Sequence, residues 1–369
     1  MNRRQFISYS GVGLAVVGGI YIFNPLAQLN TTVRGNLRNH VKGVDDDSLE
    51  IIYLASLAPS GHNTQPWTVK IMEHNHWIIG TDITRWLSVV DQENREMLLS
   101  IGAFMENLIV AANVKGYEVE VAVVAKTLQD KDIIDIKLHK GNYLRNFDVN
   151  KIKLRRTVRS NFLKDELSGE DVRLFTESNS KSFLYYARQS KEGNYLAEGT
   201  LLANQSQTYR NSAQEELAKW IRWSNDEIKY YGNGLTPETM EIDGIARWYV
   251  RNFYSSQSAL GTGFREATIK RIQEQVAAGS GWLLITSKDS SIPELIDAGR
   301  RLQRIWLEVR EKNIAIHPMN QMLEEVAIRH EMASALSITE PIQMLLRIGY
   351  INDYPQPVSP RMLLSKIIL

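Results

Sequence analysis

LAPSGHNTQPW, residues 57–67, stands between an apolar run that reads as a helix and alternating residues that read as a strand. Five small or hydrogen-bonding residues, Ser60, Gly61, His62, Asn63 and Thr64, precede Gln65-Pro66-Trp67. A turn needs one Gly or one Asn, so this stretch carries more donors and acceptors than chain reversal requires. Two readings are open. Ser60 and Asn63 cap local backbone while Trp67 fills a core, or the loop presents polar groups to something bound.

Upstream, Asp45-Asp46-Asp47-Ser48 precedes a helix through Leu49, Ile52, Leu54 and Leu57, with acidic residues at the end the macrodipole favours. Downstream, WTVKIM (67–72) and HWIIG (76–80) predict a hairpin around 73–75. Met97, Ile101, Phe104 and Leu108 mark one apolar face of a long helix that ends near Gly116. Alternation then predicts strands over 117–124 and 132–138.

RRTVRSNF (155–162) opens a second cycle. It holds a polar helix-like segment (165–177), an aromatic-rich and mostly helical middle (190–280), and a buried strand, GWLLIT (281–286). A helix stripe of Leu295, Ala298, Leu302, Ile305 and Val309 follows, then a late strand (341–350) and a tail opening with PRMLL (360–364). The order of the first part returns more loosely in the second. That predicts an α+β architecture of two related halves, 45–150 and 151–369.

A chain of 369 residues with 43% apolar content can bury a real core. Its 43 basic and 42 acidic residues nearly cancel, so nucleic acid is not an expected partner. With no cysteine, disulfides, thiolate catalysis and cysteine-held clusters are excluded. His74 and His76 lack a third ligand by spacing, and His330-Glu331 lacks the second histidine of a zinc helix, so no metal is expected. Neither a nucleophile elbow nor a phosphate-binding P-loop occurs, and no residue is singled out as catalytic.

Arg3 and Arg4 precede an uncharged apolar stretch, GVGLAVVGGIYIF (11–23). This is the pattern of an export signal, and the pair resembles the twin-arginine type. The alternative is a membrane anchor, since residues 6–23 approach spanning length. Residues 1–28 are read as signal or anchor and 29–44 as a linker arm, so the protein is expected to be periplasmic or membrane-anchored.

RRTVR gathers Arg155, Arg156 and Arg159 around the hydroxyl of Thr157. Arginine forks bind phosphate bidentately, although a solvated basic cluster explains the run equally well when it stands alone.

Taken together, these segments resemble the FMN-dependent nitroreductases. SGHNTQPW is similar to their P-S-x-x-N-x-Q-P-W loop and RRTVRSNF to their R-R-S-x-R segment. MLLRIGY (344–350) and PRMLL resemble the family's late strand and arginine-bearing tail, and 297–309 with 316–321 its second long helix and continuation. In a single nitroreductase domain the arginine segment comes first; here the loop does. The chain therefore resembles the tandem branch, in which two half-degenerate copies form a pseudo-dimer within one monomer. The resemblance implies that Arg155, Arg156, Thr157, Arg159 and Arg361 hold the phosphate of FMN. It implies that Pro59, Ser60, Gly61 and Asn63 line the flavin, while Gln65 and Trp67 set the loop. It further implies two-electron reduction of nitroaromatics, quinones or similar acceptors by a small-molecule donor. Two other outcomes stay open: a protein that sequesters FMN without turnover, and a flavin-less interaction protein.

Overall fold

In the computed structural model, residues 41–141, 146–176 and 182–369 are described. The signal-like segment and residues 29–40 of the arm lie outside them.

Helix α1 (Asp46–Ser56) begins where Asp45 accepts a 3.0 Å hydrogen bond from the Ser48 amide. Strands β1 (Trp67–Glu73) and β2 (His76–Thr81) form the expected hairpin, reversed at Asn75 with φ of 63°. Helix α2 (Arg95–Val114) follows, stopped near Gly116, whose φ of 79° a side chain would oppose. Strands β3 (Tyr117–Val123) and β4 (Asp132–Lys140) complete an antiparallel sheet ordered β1-β2-β4-β3.

The second half repeats this plan around an insertion. After β5 (Phe183–Ala187) come helices α3 (Lys191–Tyr209), α4 (Asn211–Trp220), α5 (Asn225–Tyr231), α6 (Gly244–Phe253) and α7 (Thr262–Val276). The chain then enters β6 (Gly281–Thr286), helix α8 (Ile292–Val309), β7 (Ile314–Pro318) and β8 (Ile342–Tyr350). The second sheet runs β5-β6-β8-β7, the same order as the first. In each half the long helix joins the second strand to the third, so the α+β fold of two related halves is present in the topology itself. The stretch 316–321 continues α8 as a strand and turn.

Helices α2 and α8 join the halves. A Cβ on Gly102 would lie 2.0 Å from the carbonyl oxygen of Ile296, and one on Gly299 would lie 2.0 Å from that of Leu99. On each helix the glycine follows by three positions the residue whose carbonyl meets the other glycine, so the crossing has the self-complementary register of a two-fold contact. Long and apolar enough to cross a membrane, α2 is instead mostly buried. The tail returns to the first half. Val69 donates its amide to Ile367 and accepts from that of Leu369, both at 2.9 Å, which covers the β1 edge.

Candidate functional site

A cavity of about 990 Å³ opens beside the α2–α8 crossing. Pro59, Ser60, Gly61 and Asn63 from the first half line it together with Arg155, Arg156, Thr157, Arg159 and Arg361 from the second. Segments about ninety residues apart in sequence thus meet at one wall.

The 60–65 loop is held under backbone strain, with φ of 44° at His62, 54° at Asn63 and 52° at Gln65. Its own polar groups over-determine that shape. Ser60 Oγ accepts from the Gln65 amide at 3.0 Å. Asn63 Nδ2 donates to Gly234 and Pro360 carbonyls at 3.0 and 3.2 Å, and Asn63 Oδ1 accepts from Arg361 at 3.1 Å. Gln65 donates to Gly232 O at 2.9 Å and accepts from the Met362 amide at 3.0 Å. Trp67 is core, packed on Phe104.

The loop's polar side chains thus also bond to the protein itself. Ser60 closes the loop on Gln65, and Asn63 ties it to the insertion and the tail. A Cβ on Gly61 would meet Leu87 Cδ1 at 3.0 Å, and both residues line the cavity.

The arginines divide into two groups. Arg155 and Arg361 are buried and donate to the carbonyl of Leu57 at 2.9 and 3.0 Å, and Arg361 reaches Ala58 O at 3.0 Å. Cations there complement the C-terminal end of α1. Arg155 also stacks 4.8 Å from the Trp306 ring. This pair sets the loop, which the sequence did not indicate.

Arg156 and Arg159 instead surround an anion. The Glu241 carboxylate accepts from Arg156 Nη2 at 3.0 Å, from the Arg159 amide at 3.1 Å and from Ser160 Oγ. Arg159 Nε donates to Thr239 O at 2.9 Å, and Arg271 donates to the carbonyls of Met240 and Glu241. The 239–241 segment is thereby clamped onto the arginines, with Glu241 at a φ of 56°. Behind it, His317 lies between Arg159 (2.7 Å) and Arg347 (3.2 Å). Burial and the two guanidiniums hold the imidazole well below its usual pKa and hence neutral. Burial, with Arg159 nearby, also lowers the His62 pKa to about 4.

Acidic residues line the same cavity. Glu96 accepts from Asn320 Nδ2 at 2.8 Å and Glu324 from Gln207 Nε2 at 2.7 Å, and all four residues line the space. Burial and the nearby Glu96 and Asp91 raise the Glu324 pKa well above the usual carboxylate range. Asp91, buried and near Glu96, is raised to about 6. Buried atoms of cavity-lining residues, among them His62 Nδ1, Asn204 Oδ1 and Gln321 Oε1, have no hydrogen-bond partner among the described residues.

Glu241, Arg271 and Glu324 carried no signal in the sequence, and His317 stood in the 316–321 stretch without a role. Glu241 sits in the insertion, where no repeat or motif marks it, and its role exists only because the insertion folds back over 155–161.

Among the described residues, no group of His, Cys, Asp and Glu is placed to hold a metal.

No family model matches the chain. It is 23% identical over 320 residues to a Serratia sp. protein carrying the inferred name NAD(P)H nitroreductase PigM, with 81% of this chain and 86% of that one covered. It is 24% identical over 319 residues to a Mycobacterium tuberculosis protein carrying the inferred name NAD(P)H nitroreductase acg, with 84% and 91% covered. A crystal structure of a nitroreductase-like family protein from Bacillus cereus aligns at a TM-score of 0.34 and 10% identity, over 62% of this chain and 98% of that one. By sequence, then, the chain is similar at low identity, over most of its length, to proteins named as nitroreductases.

Proposed function

We propose that the protein is an FMN-dependent oxidoreductase of the nitroreductase type, acting on nitroaromatic, quinone or similar acceptors. One observation carries this reading: nine residues proposed from three distant segments line a single cavity. Its volume is at the upper end of ordinary ligand pockets, about 300–1,000 Å³.

The residues suit a flavin phosphate, because the donor set of Arg156, the Arg159 amide and Ser160 already holds a carboxylate. A phosphate would take those donors once Glu241 withdrew, bringing more charge and more acceptor atoms. Thr157 lines the same wall, and Arg155 and Arg361 supply positive charge while fixing the loop. The buried atoms of His62, Asn204 and Gln321 offer further polar partners. When bound, a flavin supplies the hydride chemistry, so the protein's task is positioning and exclusion of water.

A second reading has its own support. Because Glu241 already occupies the clamp's donors, a protein that holds flavin without turning it over, or holds none, also fits the site. An exported protein would also work away from NAD(P)H. We propose export through Arg3 and Arg4: a reporter fused after residue 40 should stay cytoplasmic when both become lysine, and unchanged export of that variant would remove the twin-arginine assignment.

The absorbance spectrum of the purified protein tests the main reading. Flavin bands that bleach anaerobically with NADPH or a quinol support the oxidoreductase. Bands that bleach only with dithionite indicate storage, and a colourless protein that takes up no added FMN rejects both.

A further inference from the structure

Helix α6 has two unlike faces. Ala246 and Val250 line the cavity, and Ile242 and Asp243 lead into it. Ile245, Trp248, Tyr249 and Phe253 are exposed by 85%, 60%, 45% and 61%. Their spacing places them on one side of the helix. The rings are gathered, with Phe253 centred 5.7 Å from Trp248 and 5.0 Å from Tyr249. Single apolar side chains on a surface need no explanation, but four on one face of a short helix mark a docking surface.

Three observations choose its occupant. Trp and Tyr combine an apolar body with a polar tip and favour the lipid headgroup region. Arg247 and Arg251 lie on the opposite face of the helix, paired with Asp243 at 3.8 Å and Glu238 at 2.6 Å, so charge and apolar surface are segregated as in helices that lie in a membrane interface. The sequence also carries the uncharged apolar run 11–23, joined to the first described residue by residues 24–40. At roughly 3.3–3.6 Å per residue that connection can reach several tens of ångströms. If the run is retained in a membrane, its tether raises the effective concentration of α6 at the same surface, so weak insertion suffices.

We propose that α6 docks on a lipid bilayer, laying Ile245, Trp248, Tyr249 and Phe253 into the headgroup region. The cavity that Ala246 and Val250 line then lies beside the membrane, from which flat apolar molecules dissolved in lipid, quinones among them, approach it. That consequence rests on the redox reading; the docking does not.

Vesicles of phosphatidylcholine and phosphatidylglycerol with brominated acyl chains test it on the full chain. The first tryptophan is Trp67, so the apolar N-terminal run contributes no emission. Trp67, Trp77, Trp220, Trp223, Trp282 and Trp306 are buried and Trp86 is half-buried, which leaves Trp248 as the exposed reporter. Wild type should lose about an eighth or more of its emission, Trp248 being one of eight tryptophans. Trp248→Phe, which keeps the apolar face, should lose that component. Equal quenching of the two proteins overturns the proposal. So does a chain that ignores vesicles but doubles its mass in solution and reverts with Trp248→Ser/Phe253→Ser, since the face then belongs to a second copy. No flavin enters the measurement, so its failure and that of the redox reading are distinguishable.

Discussion

Arg155 and Arg156 are neighbours in sequence with unlike surroundings. Arg155 is buried, bonded to Leu57 O and stacked on Trp306. Arg155→Ala should therefore lower the unfolding free energy by about 2–3 kcal/mol, a charged hydrogen bond plus a cation–π contact. Arg156 holds Glu241, so Arg156→Ala should cost less stability and weaken phosphate or FMN binding roughly tenfold or more. Urea unfolding and ligand titration of both variants check the split; equal stability losses would contradict it. His62 supplies a pH test. Its folded pKa of about 4 lies below the ordinary 6.5, so the stability it contributes is present above pH 6.5 and is lost as pH falls toward 4. His62→Asn tolerates the left-handed backbone and should remove that component. Melting curves of both proteins between pH 7 and 4 should converge on the acid side, and parallel curves would exclude it.

At the scale of elements, the α2–α8 crossing carries the load of joining the halves. Neither Gly102 nor Gly299 leaves room for a Cβ, because the obstacle in each case is opposing backbone. Alanine at either position must push the helices apart, at a cost of about 3 kcal/mol, the upper end of ordinary overpacking. A matched control exists in Gly263, where a Cβ meets nothing within 4 Å; Gly263→Ala should stabilise by about 0.4–1 kcal/mol. Chemical denaturation of the three variants measures this. A Gly102→Ala protein as stable as wild type would mean the helices are not in the contact described. The crossing also positions the site, since Glu96, Leu99, Ser100 and Ala103 of α2 and Leu302 and Trp306 of α8 form part of the cavity wall.

For the whole molecule, the repeated topology implies two symmetry-related site positions, of which we expect one to bind. The loop preceding β1 spans 57–66, whereas its counterpart before β5 has only 177–182, mostly outside the described residues. The counterpart of the arginine segment falls before α1, near Leu37-Arg38-Asn39-His40, also outside them. We expect one FMN per chain and a monomer in solution, because a fused pair of halves already satisfies the two-fold interface. Titration of apoprotein combined with light scattering decides this; two tight flavins per chain, or one per obligate dimer, would reject it.

Much of the scaffold was legible in sequence because its causes are local. Periodicity marked both long helices, alternation marked the strands of the first sheet, an apolar run marked β6, and the acidic run before Leu49 placed the start of α1, whereas β5 and β7 were not expected. The density of polar groups in 57–67 likewise announced a loop under special constraint. What those groups bind was not legible. Whether Asn63 faces a ligand or a neighbouring carbonyl depends on Gly234 and Pro360, both distant in sequence. That Arg155 and Arg156 part ways depends on where Leu57 O and Glu241 come to rest. Local propensity fixes the shape of each segment; the partners of its polar groups are chosen by tertiary packing, because hydrogen bonds act over about 3 Å and only the folded chain brings those atoms within reach.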